Sequence, residues 1–286
     1  MPEALLVTGA STGIGRAVAA EAIQRGATVY ANVRRKEDAA ALEALGQQLK
    51  PLIFDVTDES SVNRAAEQVA LAQNGARLMG LVNNAGISVP GPLLHMTSAE
   101  LRTQMDVNLM GVHNVTRAFA PLLGAEGAGH LAGGAAGRIV MISSVGGKRS
   151  MPFIAAYATS KFALEGYSEG LRRELMPFGI DVIVIGPGAV KTAIWDKGLK
   201  MDMARYDGSI YRPILERFQA YADRVSKKGL PAEKLGALVW RTLTMAKPKT
   251  RYQITPNPLE GLITNLVGPR ALDRLVASQF GMSPKP

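Results

Sequence analysis

Short apolar runs alternate along the chain with longer stretches in which apolar residues recur every three or four positions. The runs are Ala4–Thr8, Thr28–Val33, Leu52–Phe54, Leu78–Asn83, Arg138–Ser143 and Asp181–Gly186, with a last one at Arg251–Thr255. Between them Gly15–Gln24, Ser60–Gln73, Ser98–Leu123 and Ala156–Met176 carry the helical period. This alternation predicts an α/β fold, a doubly wound parallel sheet of about seven strands with helices on both faces. The strands lack an in/out polar alternation, as expected when both faces are covered. We expect one domain over residues 1–256 and an amphipathic extension over 257–286.

Two segments break the rhythm. Gly124–Gly137 is an Ala/Gly run around His130 and reads as a loop. Residues 193–230 form a long mixed excursion carrying Trp195, Tyr206, Tyr211, Phe218 and Tyr221. It reads either as a lid over a ligand site or as a helical pair packed on the domain. Beyond it, Leu262, Ile263, Leu266 and Val267, then Leu272, Leu275, Val276 and Phe280, keep helical spacing around a Gly268-Pro269 break. Such a tail suits packing on the body, a subunit contact, a wall of the substrate site or a helix lying on a membrane surface.

Composition narrows the picture. At 286 residues, 47% hydrophobic and 20% charged, the chain is not of the disordered class. No apolar run approaches the about twenty residues of a spanning helix, and the N-terminus lacks the order of a signal peptide. Cysteine is absent, which excludes disulfides, thiolate zinc sites and a cysteine nucleophile, and suits a cytoplasmic protein. His95, His113 and His130 show no metal-ligand spacing, so no metal is expected. The net charge of +9 raises nucleic acid or a membrane surface as partners. Its distribution argues otherwise: residues 1–240 carry 26 basic and 22 acidic groups, residues 241–286 carry 7 and 2. No dense basic stripe with interleaved aromatics appears, so no nucleic-acid role is expected.

The first strand runs into Thr8-Gly9-Ala10-Ser11-Thr12-Gly13-Ile14-Gly15, and a helix follows. Glycines there let backbone approach a pyrophosphate resting on the helix N-terminus. At the end of the second strand, where a carboxylate would bind a ribose 2′-hydroxyl, stand Val33-Arg34-Arg35-Lys36. Glu37 and Asp38 come too late to reach the ribose. Arg34 and Arg35 suit a 2′-phosphate, which points to NADP(H). Tyr157 and Lys161 lie four residues apart on one helix face, where an ammonium can depress the phenol's pKa. Ser144 ends the preceding strand thirteen residues before Tyr157; Ser143, at fourteen, is the weaker choice.

Together these motifs resemble the short-chain dehydrogenase/reductase family over roughly residues 4–192, nearest in motif to its hydroxysteroid and retinol dehydrogenase members. The resemblance implies a Rossmann-type sheet and assigns the glycine loop to Gly9, Ser11, Thr12, Gly13, Ile14 and Gly15. It adds Asp55 and Val56 at the adenine, the Asn83–Gly86 turn with Ala85, and Pro187, Gly188, Val190 and Thr192 at the nicotinamide. It implies catalysis by Asn108, Ser144, Tyr157 and Lys161, with Asn108 holding a water, Ser144 binding the substrate oxygen and Tyr157 moving its proton. Lys161 would tune the tyrosine and bind the nicotinamide ribose. Homodimers or homotetramers through the two long helices are implied as well.

Val145, Met151 and Phe153, beside Ser144 and Tyr157, give apolar substrate walls. They suit a ketone, aldehyde or alcohol on a steroid-, retinoid- or lipid-like molecule. The rival class is a silent NADP(H)-binding sensor or interaction module, against which the complete set of four catalytic residues stands.

Overall fold

The first strand, β1 (Ala4–Val7), shows how the sheet is built, because its residues divide between two cores. Ala4 and Leu6 enter one buried cluster, Leu5 and Val7 the other. Strand side chains alternate faces, so a strand covered on both must be apolar throughout. β2 (Thr28–Val33), β3 (Leu49–Ile53), β4 (Gly80–Asn83), β5 (Arg138–Ile142), β6 (Asp181–Pro187) and β7 (Arg251–Ile254) complete one sheet. Its order is β3-β2-β1-β4-β5-β6-β7, and every pairing is parallel. The order reverses between β1 and β4, where an open sheet leaves a crevice at its carboxyl ends. This computed structural model describes residues 3–125, 135–192, 201–257 and 267–283.

One face carries α1 (Gly13–Gln24), α2 (Lys36–Glu43) and α8 (Ala232–Thr244). A Cβ on Gly236 would lie 2.6 Å from the Ala17 carbonyl oxygen, so α8 lies close against α1 only because that residue is glycine. The other face carries α3 (Glu59–Gln73), α5 (Gly111–Leu123) and α6 (Ala155–Glu174). The continuous pattern at Ser98–Leu123 is interrupted in the structure. It divides into α4 (Ser98–Met105), a widened turn at Asp106–Met110 and α5. Such widened turns recur at functional sites, and this one holds Asn108.

The excursion after β6 is closed at its base: Leu230 N donates to Ala189 O at 2.8 Å, and Lys191 N to Leu230 O at 2.9 Å. It contains a short turn at Met203–Tyr206 and α7 (Arg212–Lys227). A third cluster joins it to distant segments: Phe153, Tyr206, Leu215 and Phe218 pack with Phe280 of α9 (Pro269–Phe280). Tail packing therefore runs through Phe280, which is 1% exposed. His130, Trp195, Leu262, Ile263 and Leu266 lie outside the described residues. No described helix is long and apolar enough to cross a membrane.

Candidate active site

The glycine loop bends out of β1 at the switch point. Gly9 and Gly13 adopt φ of 64° and 57°, the left-handed region that a side chain disfavours. A Cβ on Gly15 would stand 2.4 Å from the Gly9 carbonyl oxygen, and one on Gly13 2.9 Å from Thr192 Cγ2. Three chain segments thus converge on bare backbone. Thr12, at the cap position of α1, spends no side-chain bond on the first turn, and that turn carries no acidic residue. Uncapped amides at a positive helix end fit an anionic phosphate group. The cradle fits a dinucleotide.

The two arginines after β2 differ. Arg35 forms a two-point pair with Asp38, Nε to Oδ2 and Nη2 to Oδ1 both at 3.0 Å. Its charge is therefore already answered within its own turn. Arg34 is exposed and makes no ion pair among the described residues. Asp55 is partly buried, its Oδ1 accepting from Thr57 N and Oγ1 at 2.9 and 2.8 Å.

Two asparagines hold this loop: Asn32, which the strand pattern did not single out, and Asn84, inside the expected Asn83–Gly86 turn. Asn32, 2% exposed, accepts from Gly9 N at 3.2 Å and donates to Phe54 O at 2.8 Å. Asn84 Nδ2 donates to the carbonyls of Thr8 and Gly9 at 2.9 and 3.0 Å. A polar residue inside an apolar strand was the available signal for Asn32. Asn83, by contrast, turns into the core, where its Nδ2 donates to Thr116 Oγ1 at 2.9 Å. The structure makes its side chain a strut to α5.

The reacting groups gather at the ends of β5 and α6. The hydroxyl of Ser144 bonds the Tyr157 phenol and accepts from Gly146 N at 3.0 Å. Lys161, 5% exposed, donates from Nζ to the Ile142 carbonyl at 2.8 Å and sits 5.7 Å from the Tyr157 ring centroid. Burial lowers its ammonium to about 8, while Glu165 raises it. Tyr157 is pushed above its ordinary value by burial, with the Ser144 hydroxyl pulling it back. This corrects the expectation of a depressed phenol: desolvation dominates, and the ammonium is bonded to a carbonyl instead. The Asn108 side chain is fully engaged within the protein. Its Oδ1 accepts from Ile87 N at 2.9 Å, and its Nδ2 donates to Ile87 O and Ser160 Oγ, both at 3.0 Å. The fully buried side chain clamps α6 against the loop after β4.

Comparison with known proteins settles the family. The family model for short chain dehydrogenase matches residues 3–202. The chain is a short-chain dehydrogenase. It is 36% identical over 255 residues to the NADPH-dependent 3-dehydrocapnine reductase of Ornithobacterium rhinotracheale, covering 89% of this chain and 88% of that one. It is 32% identical, with the same coverage, to the 3-ketodihydrosphingosine reductase of Bacteroides thetaiotaomicron. Human retinol dehydrogenase 5 matches at 32% over 263 residues, 87% of this chain and 79% of that one. As a family member the chain is an oxidoreductase acting on carbonyl and alcohol groups.

In this short-chain dehydrogenase the segment between Ser144 and Tyr157 meets the excursion after β6. Val145 opens the turn after β5, partly buried, while Met151 and Phe153 join the third cluster. Phe153 takes a φ of 66°, unusual for an aromatic residue, and its carbonyl accepts from Gly91 N at 2.7 Å. Its ring meets Phe218 edge-on at 5.4 Å and Tyr211 at 6.1 Å. Gly188 N donates to Ile254 O at 2.8 Å, and Val190 bridges to Leu230 at the lid's base. Among the described residues no cluster of three or more His, Cys, Asp or Glu could hold a metal ion.

Proposed function

We propose that this enzyme interconverts a ketone and an alcohol on a hydrophobic, lipid-like molecule, using NADP(H). The observation that carries the substrate class is the third cluster. Met151, Met201, Met203 and Met282 pack in one cluster with Phe153, Tyr211 and Phe218, and Met151 and Phe153 come from the segment that joins Ser144 to Tyr157. Methionine thioethers are polarizable and unbranched, so such a wall can reshape around a long apolar chain. The reductases of 3-ketodihydrosphingosine and 3-dehydrocapnine among its relatives support this reading.

NADP(H), when bound, supplies or accepts the hydride. Gly9, Ser11, Thr12, Gly13, Ile14 and Gly15 would hold its pyrophosphate and Arg34 its 2′-phosphate. Asp55 and Val56 would border the adenine, and Thr192 the far end of the cofactor. Ser144 orients the substrate oxygen, and Tyr157 exchanges its proton. A phenol held above its ordinary pKa stays protonated at neutral pH, which suits donation to a ketone oxygen. The buried ammonium of Lys161 remains largely charged below about pH 8 and places a positive charge where the phenolate forms.

The test is NADPH absorbance loss against long-chain, steroid and small ketones, with cofactor binding followed by fluorescence. Turnover should favour the long or polycyclic ketones. Binding of NADPH with no turnover on any ketone would overturn the reading in favour of a sensor.

A further inference from the structure

Tyr157, Lys161 and Glu165 succeed one another at four-residue spacing and share one face of α6. The first two belong to the reaction proposed above; the third is gripped from another part of the fold. Arg251 of β7 reaches its carboxylate at two points, Nε to Oε2 at 3.0 Å and Nη2 to Oε1 at 3.1 Å. Lys148 Nζ adds a contact at 3.3 Å, and the glutamate side chain is 9% exposed. Two glycines make room for this clamp. A Cβ on Gly186 would lie 2.6 Å from Arg251 Nη2, and one on Gly147 3.0 Å from Glu165 Cγ.

A carboxylate taken out of water is costly unless well partnered, and this one is partnered by two cations. We propose that Glu165, clamped by Arg251 and Lys148, is a positioning residue for Lys161, supplying the inward negative charge that keeps the lysine an ammonium beside Tyr157. The groups around Lys161 agree with this assignment. α6 brings Tyr157 and Glu165 and β5 the uncharged Ile142 carbonyl, while Lys148 from the turn after β5 and Arg251 from β7 reach the lysine's surroundings only through Glu165. Without Glu165 the cations Lys148 and Arg251 would go unanswered. The edge strand β7 therefore reaches the reacting groups through one arginine that crosses β6 over a glycine.

The inference rests on the catalytic reading of Lys161, and its test separates the two. Full-length protein carrying 13C at the lysine Cε would be titrated by NMR, with Lys161 assigned from the signal lost in Lys161→Arg. The wild-type midpoint, expected at about 8, should fall by about one pH unit or more in Glu165→Gln. Glu165→Asp, which keeps the charge, should hold it close to the wild-type value. Because Glu165→Gln leaves Arg251 unpaired and can unfold the chain, Glu165→Gln with Arg251→Gln provides a neutral amide pair of similar shape; since a cation leaves with the carboxylate, a smaller fall in the same direction is expected. The alkaline limb of kcat should move with the midpoint. An unchanged Lys161 midpoint in the folded double variant overturns the proposal and leaves the clamp a strut between β7 and α6. A shifted midpoint in an enzyme that turns over no ketone would sustain the positioning role while removing the oxidoreductase reading.

Discussion

At the glycine loop the binding surface is backbone. Gly9, Gly13 and Gly15 come from one stretch of seven residues, and Asn32 and Asn84 hold them by bonds to main-chain atoms. In the third cluster the packing is by side chains, drawn from residues 151–154, 201–221 and 276–282. A phosphate presents the same oxygens in every dinucleotide, so a fixed cradle of amides can serve it. An apolar substrate is recognised by area and shape, which a packed and repackable set of large side chains supplies. The first region is accordingly built from residues near in sequence, the second from residues far apart.

The contrast can be broken most sharply at their meeting point. Tyr157→Phe should lower turnover by about 10² to 10⁴ while leaving NADPH affinity near the wild-type value, since the phenol acts on the reacting oxygen. Steady-state kinetics beside cofactor titration would check this, and full activity would sink the proposed role. Next in size is Phe280→Ala. Losing a ring that is 1% exposed should cost about 3 kcal/mol. Its effect should concentrate on the lid, raising KM for hydrophobic ketones while the Kd of NADPH stays constant. Equal losses at both ends would show that the regions are not separable.

Arg34→Ala should weaken NADPH by roughly 10- to 100-fold, the worth of a charge-assisted phosphate contact, and leave NADH unchanged. Arg35→Ala should do less, because that guanidinium is held by Asp38. The smallest expected effect is at the lid's outer latch. Arg205 donates to Glu100 at 2.6 Å and to the His95 carbonyl, and Glu100 is pulled down to about 2, with Arg205 the main cause. A carboxylate depressed on folding contributes stability that is complete above its unfolded value of about 4.5 and fades as pH falls towards 2. Near-ultraviolet CD of the tyrosines beside it should therefore lose intensity across that acid window. Glu100→Gln should remove that acid dependence and leave the glycine loop untouched.

The sequence by itself determined the parallel sheet, because strands apolar on both faces admit few other arrangements, and it located the glycine loop, Ser144, Tyr157 and Lys161 through spacing along single elements. It also placed two arginines after β2, where only the fold could separate Arg34 from the paired Arg35. Tertiary structure decided what depends on residues distant in the chain. Asn108 became a clamp because Ile87 and Ser160 close around its amide. Tyr157 sits above its ordinary pKa because burial exceeds the pull of Ser144. Arg251, counted at first as one of many tail charges, acquired a partner 86 residues away across a glycine in the neighbouring strand. Period and spacing are local and can be read in one dimension; desolvation and ion pairing depend on what the folded chain brings within a few ångströms.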